Sequence, residues 1–200
     1  PGGWIGDNIL GQQKTILYGG IIIMLGHLSL AIPNINSFYT GLVLVVLGTG
    51  LLKPNISAIV GELYENNPEM RQSGFTIFYM AINLGSILGF FICGYLGENI
   101  GWHYGFSAAG IGMAFGLIQY IYNIKLLEKS GAEPFNKINS GTKSKYKKII
   151  LVSVGLIFLI TISGLLGLWN INPVPLANVL TITITLISLF YFFYIIVFGG

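Results

Sequence analysis

Charge is the scarcest commodity in this sequence. Only 8% of its 200 residues are Asp, Glu, Lys or Arg, against roughly 25% in a soluble domain. A chain this poor in charge cannot cover its own surface in water, and its mean hydropathy of +0.76 points the same way. The net charge of +3 is too weak to argue for nucleic acid, and no basic stripe is interleaved with aromatics. A single cysteine, Cys93, excludes an internal disulfide. It lies in an apolar run beside Ile92 and Gly94 and reads as a small buried hydrophobe. No nucleotide loop, no metal-spaced His or Cys cluster and no nucleophile with a suitable base is present. The chain therefore reads as a non-enzyme with no metal and no organic cofactor. No signal peptide is visible either, because the opening PGGWIGD has neither a basic start nor a cleavage site. The chain starts without Met and ends at Phe198-Gly199-Gly200, which reads as a fragment of a longer protein.

Long apolar runs are what the chain has instead. A helix needs about 20 residues to cross roughly 30 Å of hydrocarbon. Six stretches qualify, near 15–33, 38–60, 74–97, 103–126, 148–168 and 176–198. Turn chemistry separates them: Pro33 to Ser37, Asn66-Asn67-Pro68, and Asn170 to Pro175. Backbone groups in lipid must be satisfied within the segment, so these spans are expected to be helices. The last span alternates locally through Thr181, Thr183 and Thr185 and has strand-like propensity, but the backbone argument outweighs it. The fold class expected is an all-α membrane protein.

The basic residues give an orientation. Ten residues are Lys or Arg, and Lys53 falls inside a span. The other nine are Lys14, Arg71, Lys125, Lys129, Lys137, Lys143, Lys145, Lys147 and Lys148. With six alternating spans all nine fall on one side, and the loops around 34–37, 98–102 and 169–175 hold none. The positive-inside rule makes the Lys14 and Arg71 side cytoplasmic. One long polar linker, Glu128 to Lys148, carries most of the lysines. It reads either as an attractor of anionic lipid or as an ordinary positive-inside loop. It divides the chain into residues 1–126, a cytoplasmic basic linker at 127–147, and a helix pair at 148–200.

Four places could carry function. Lys53 lies within FYTGLVLVVLGTGLLKPNISAIV, where a cation costs on the order of 3 kcal/mol on insertion scales. It is a candidate proton-relay or transport residue, and snorkelling to the interface is the alternative. Pro54 beside it removes a ladder hydrogen bond, and the freed carbonyl can face only protein or a water-filled cavity. In the third span Tyr79 and Asn83 are four residues apart and share a helix face. They line a ligand cavity or bond neighbouring helices, with Phe75 continuing the stripe as packing. Gly85 and Gly89 allow close helix approach. In the opening GGWIGDNILGQQKT, Gly3, Gly6 and Gly11 permit close backbone approach. There Asp7 can bond a helix start or pair with a basic residue such as Lys14. His27, mid-span, is a weaker polar candidate. His103, between Trp102 and Tyr104, reads as part of an interfacial aromatic anchor.

Three of these stretches also resemble a known family. GGWIGDNILGQQKT is similar to the glycine–aspartate–glycine–basic loop between helices two and three of the proton-coupled oligopeptide transporters, within the major facilitator superfamily. GTGLLKPNISAIVGELY resembles the family's fourth helix. GFTIFYMAINLGSILGFFICGYLGENIGWHYGFSAAGIGM resembles its fifth helix through to the sixth. The resemblance covers residues 1 to about 124, and the tail resembles the helix pair that bacterial members insert between their two bundles. It implies a part of the major facilitator fold with six transmembrane helices: helices three to six and the inserted pair.

The activity implied is proton-coupled symport of di- and tripeptides across the cytoplasmic membrane, with protons as the coupling ion and no cofactor. The partners implied are small peptides, protons, the bilayer and the rest of the parent chain. Lys53 matches the fourth-helix lysine that contributes to proton coupling and pairs with a Glu-x-x-Glu-Arg motif on helix one. Glu62 and Glu65 are poor substitutes for that carboxylate. Tyr79 and Asn83 match residues that line the peptide site. Asp7, with Gly3, Gly11, Lys14 and Pro54, matches elements that gate the cytoplasmic side. The sequence departs at Gln12-Gln13, which leaves Lys14 as the loop's only basic residue. A facilitator for nitrate or an organic anion, and a non-transporting membrane sensor or scaffold, are the rival readings.

Overall fold

A computed structural model describes residues 2–65, 67–127, 129–136, 140–166 and 173–198. The described residues are almost entirely helical. Helix α1 (Gly2–Ile5) runs into a π turn over Gly6–Leu10, and α2 (Gln12–Leu30) and α3 (Ile35–Leu63) follow. Next come α4 (Pro68–Gly89), a second π turn (Phe90–Gly94) and α5 (Tyr95–Asn99), which together make one long rod. Then come α6 (Trp102–Asn123) with a closing 3-10 turn at Ile124–Leu127, α7 (Ser140–Leu165) and α8 (Pro173–Phe198).

Each expected span is helical over its described residues, apart from terminal residues such as 31–33 at the end of the first, and this includes the threonine-alternating last one. Backbone satisfaction therefore prevails over strand propensity there. Among the described residues four helical segments are long and apolar enough to cross a membrane: 35–63, 68–99, 102–127 and 178–195. Residues 148–164 form a shorter apolar helix. The expected span at 15–33 is a helix displaced toward the N-terminus, and its polar first turn, Gln12 to Lys14, dilutes its apolar character. At α7 the helix begins at Ser140 rather than near 148. Hydropathy locates the lipid-compatible part of a helix and not its watery extension. Of the turn expected at 169–175, residues 169–172 lie outside the described residues, as do Asn66, Glu128 and Lys137, while Pro173 to Pro175 form the first turn of α8, where a missing N–H costs no helical bond.

The caps follow local chemistry. Asn34 precedes α3, and its side-chain oxygen accepts from the Asn36 N–H at 2.8 Å. Asn67 does the same for Met70 at 3.1 Å, with Pro68 in the first turn of α4. Proline there sacrifices an N–H that has no helical partner in any case.

The described chain divides into two compact units, 1–154 and 155–200. In the first, α2 and α3 run antiparallel in close contact through two glycine pairs. A Cβ on Gly48 would stand 2.6 Å from the Gly19 carbonyl oxygen, and one on Gly19 would stand 2.9 Å from the Gly48 carbonyl oxygen. One heptad along, Gly26 and Gly41 meet in the same way at 3.0 and 2.8 Å. Small residues at such a crossing let backbones touch, which is how membrane helices associate without a hydrophobic driving force. Helix α6 packs against the other side of α2, with Leu117 on Gly20 and Gly110 on His27 and Leu28. By contrast, α4 buries none of its residues. Gly85 and Gly89 face open space, so the close approach expected of them is to no described residue. The second unit presents large apolar side chains such as Leu159, Ile187 and Phe190 on its surface.

Candidate functional site

Proline at position 54 cannot donate to the carbonyl four residues back, which is that of Gly50. The structure puts α1 against that carbonyl. A Cβ on Gly2 would overlap the Gly50 oxygen, and one on Gly3 would touch Pro54 Cβ at 3.5 Å. The two opening glycines thus let α1 lie directly on the Gly50–Pro54 turn of α3.

Asn55, which the sequence reading passed over, holds this junction. It is fully buried, at 0% exposure. Its Nδ2 donates to the Gly2 carbonyl at 3.0 Å and to the Leu51 carbonyl at 2.6 Å. A Cβ on Gly6 would overlap its side-chain oxygen, so Gly6 must be small for Asn55 to fit. The signal that finds Asn83, an amide inside an apolar span, applies equally to Asn55.

Lys53 points away from this anchored face. It is exposed, while Asn55 and Ile59 on the same helix are buried. Among the described residues it forms no ion pair and no side-chain hydrogen bond. Its own carbonyl accepts from Ser57 Oγ at 3.3 Å.

The opening loop is built around Gly11. Its φ of +84° lies in the left-handed region, and a Cβ there would meet the Ala132 and Gly131 carbonyl oxygens at 2.8 and 3.0 Å. Asp7 does not pair with Lys14. Its Oδ1 accepts from Gln12 Nε2 at 3.3 Å, and Lys14 is exposed with no ion pair among the described residues. Glutamine at position 12 thus offers a neutral amide to the carboxylate.

The linker does not run free in this region. Gly131 N donates to Glu62 Oε1 at 2.9 Å, and the Gly131 carbonyl accepts from Gln13 N at 2.9 Å. Gln13 Nε2 donates to the Ser130 carbonyl at 2.8 Å, and Tyr120 hydroxyl donates to the Gln13 carbonyl at 3.1 Å. Asn136 N donates to the Asp7 carbonyl at 2.9 Å. Beside this docked segment lies an open groove of about 390 Å³, lined among others by Asp7, Gln12, Glu62, Glu65, Arg71 and Phe135.

Tyr79 and Asn83 sit on the open side of α4. Tyr79 is 57% exposed, and its ring stacks on Phe75 with centroids 6.3 Å apart. Asn83 is exposed and makes no side-chain hydrogen bond to any described residue. Phe75 and Arg71 reach across to Gly61 of α3 at the base of the hairpin. No hydrogen bond or ion pair joins Tyr79 or Asn83 to Lys53 among the described residues. His27 is half-buried where Gly110 of α6 crosses. His103 Nδ1 lies 3.5 Å from the Leu30 carbonyl oxygen at the end of α2. No group of three or more His, Cys, Asp or Glu suited to a metal occurs among the described residues.

Comparison with known proteins supplies the context for this arrangement. A family model described as the POT family matches residues 13–161. A di-/tripeptide transporter of Lactococcus lactis subsp. lactis is 39% identical over 96% of this chain and 39% of its own length. The peptide transporter YePEPT of Yersinia enterocolitica is 39% identical over 100% of this chain and 40% of its own. Among solved structures, the peptide transporter POT in complex with sulfate matches with a TM-score of 0.77 at 35% identity, covering 97% of this chain and 40% of that one. A POT family transporter in complex with a thioalcohol-conjugated peptide matches with a TM-score of 0.75 at 32% identity, over 98% of this chain and 40% of that one. The chain spans about 40% of the length of these relatives. With family model and solved structures in agreement over most of its length, this membrane-spanning chain belongs to the POT family.

Proposed function

We propose that the protein to which this chain contributes is a proton-coupled symporter of di- and tripeptides in the cytoplasmic membrane. The observation that carries the reading is 39% identity over 96% of the chain to a protein named a di-/tripeptide transporter. The chain supplies part of the N-terminal helix bundle over 1–126, a cytoplasmic linker at 127–147 and an inserted helix pair at 148–200. In this reading the nine basic residues other than Lys53 lie on the cytoplasmic side.

Lys53 is the coupling residue in this reading. From Lys53 to Leu63 the helix rises about 15 Å at roughly 1.5 Å per residue, too far for a comfortable reach to the helix end. Its exposed side chain, on a helix locked elsewhere by Asn55, favours a counter-charge or ligand from beyond the described residues. A carboxylate partner can be neutralised by a proton or displaced by a peptide carboxylate. Both ligands then bias one two-state equilibrium, which is the minimum a symporter needs. Tyr79 and Asn83 contact the peptide. Asp7, Gly3, Gly11, Lys14 and Pro54 belong to the cytoplasmic gate.

Uptake of labelled dialanine into proteoliposomes of the full-length protein, with an inward proton gradient, tests the activity. Accumulation that collapses with a protonophore is the expected result. Accumulation of nitrate or an organic anion but no peptide would move the protein to the rival transport reading. A protein that moves neither is a sensor or scaffold. Orientation is tested separately by labelling Lys129→Cys in a Cys93→Ala background, where reagent access from the cytoplasmic side alone is expected.

A further inference from the structure

Glu62 is a poor substitute for a carboxylate partner of Lys53, and the structure gives it other work. Its Oε1 accepts from the backbone N–H of Gly131 at 2.9 Å, across 69 residues of sequence. Gly131 is buried with φ +65°, a conformation that suits glycine. A Cβ there would press on Gln12 Cβ at 2.9 Å and Ile59 Cδ1 at 3.0 Å. Its carbonyl in turn accepts from Gln13 N at 2.9 Å. That N–H belongs to the first turn of α2, where donors lack helical partners. The N-cap residue, Gly11, has no side chain to supply one. Further along, Asn136 bonds both the Asp7 carbonyl at 2.9 Å and Asn8 Oδ1 at 3.2 Å. Residues 129–136 therefore bond three separate elements: the end of α3, the start of α2 and the π turn that carries Asp7.

We propose that Glu62 is a positioning residue that holds residues 129–136 as a strap, and that the strap fixes the Asp7–Gln13 turn. Glu62 acts through the strap and not on the cargo. Because the acceptor is one oxygen, a neutral amide can replace the carboxylate here. A role as a proton carrier or as the counter-charge of Lys53 would not tolerate that replacement. Only the uptake arm of the test rests on the transport reading, since the strap can be measured with no substrate present.

The test uses the full-length protein with Glu62→Ala, Glu62→Gln and Gly131→Ala. Amide hydrogen exchange is followed in the segments holding Gln13 and Gly131. Exchange should quicken at least tenfold in Glu62→Ala and Gly131→Ala, and stay within threefold of the unmutated protein in Glu62→Gln. Asn8 and Asn136 touch through their side chains, so a disulfide between Asn8→Cys and Asn136→Cys, in a Cys93→Ala background, can replace the strap's hold covalently. Adding that bridge to Glu62→Ala should restore slow exchange, and reducing it should undo the rescue. In proteoliposomes the same bridge should restore the uptake rate, with peptide affinity unchanged throughout. Fast exchange in Glu62→Gln, unchanged exchange in Glu62→Ala, or no rescue by the bridge would each overturn the proposal. If the unmutated protein moves no peptide, the transport reading fails while the exchange arm still decides the strap.

Discussion

Helices α3 and α4 are neighbours in sequence and are used in opposite ways. Helix α3 buries Gly41 and Gly48 against α2, Asn55 against α1 and Ile59 beside Gly131, and turns Lys53 outward. Helix α4 buries nothing and carries Tyr79 and Asn83 on a bare face, meeting α3 only near its base. One helix is gripped close to its charge on both sides, at Gly48 and Asn55. The other is a surface awaiting a partner or ligand. A charge that must respond to a proton needs a fixed frame, because any slack in the backbone would absorb the change in interaction that coupling depends on. A ligand-contacting face needs the reverse, since it must be free of partners of its own.

The largest effect expected from breaking this contrast is at Gly48. A leucine there overlaps the Gly19 carbonyl and the Ile23 backbone, at 2.6 and 2.8 Å for the Cβ alone. Overpacking costs typically 1–3 kcal/mol and more where backbone must move, so Gly48→Leu should lower the melting temperature sharply or abolish the folded peak in size-exclusion chromatography. Gly50→Ala is the control two residues away. A Cβ there meets nothing within 4 Å, so its melting temperature should match or exceed that of the unmutated protein.

Asn55→Ala comes next. It removes the donor to both the Gly2 and Leu51 carbonyls in a fully buried site, for a loss of about 1–3 kcal/mol. Thermal unfolding in detergent measures it. A loss under about 0.5 kcal/mol would mean that α1 is not held to α3 by this amide.

Asn83→Ala should hardly change stability, because the Asn83 side chain bonds no described residue. Peptide affinity should fall about tenfold or more, the amount lost with one or two hydrogen bonds to a charged ligand. A drop in melting temperature with affinity intact would make Asn83 and Tyr79 glue between helices.

The contrast was partly legible in the sequence. Apolar length and the obligation to satisfy backbone groups located the long helices, and Asn34, Asn67 and Pro68 mark the starts of α3 and α4, whereas the helical turns of residues 2–10 lie in a glycine-rich stretch whose composition reads as a loop. Lys53 and Pro54 stood out because charge and a missing N–H are both conspicuous in an apolar run. The glycines at 19, 26, 41 and 48 gave no hint of their pairing, since which small residues meet depends on helix rotation and register. The strap was hidden for a related reason. Residues 129–136 have a polar linker's composition, and only tertiary contact shows that Gly131 takes a left-handed conformation against Gln12 and Ile59. The sequence leaves Asp7 open between a helix start and a basic partner, and only the structure shows that the Gln12 amide reaches the carboxylate.

The account rests most heavily on Lys53 as the coupling charge, and comparing two assays on one variant tests it directly. The full-length protein with Lys53→Ala, in proteoliposomes, should fail to accumulate dipeptide under an imposed proton gradient. Counterflow, which exchanges peptide for peptide with no net proton movement, should persist at a comparable rate. Lys53→Arg keeps a charge but not the compact ammonium, so it should restore accumulation only in part. If Lys53→Ala still concentrates peptide against a gradient as well as the unmutated protein does, Lys53 is a snorkelling or packing residue and the central claim is wrong.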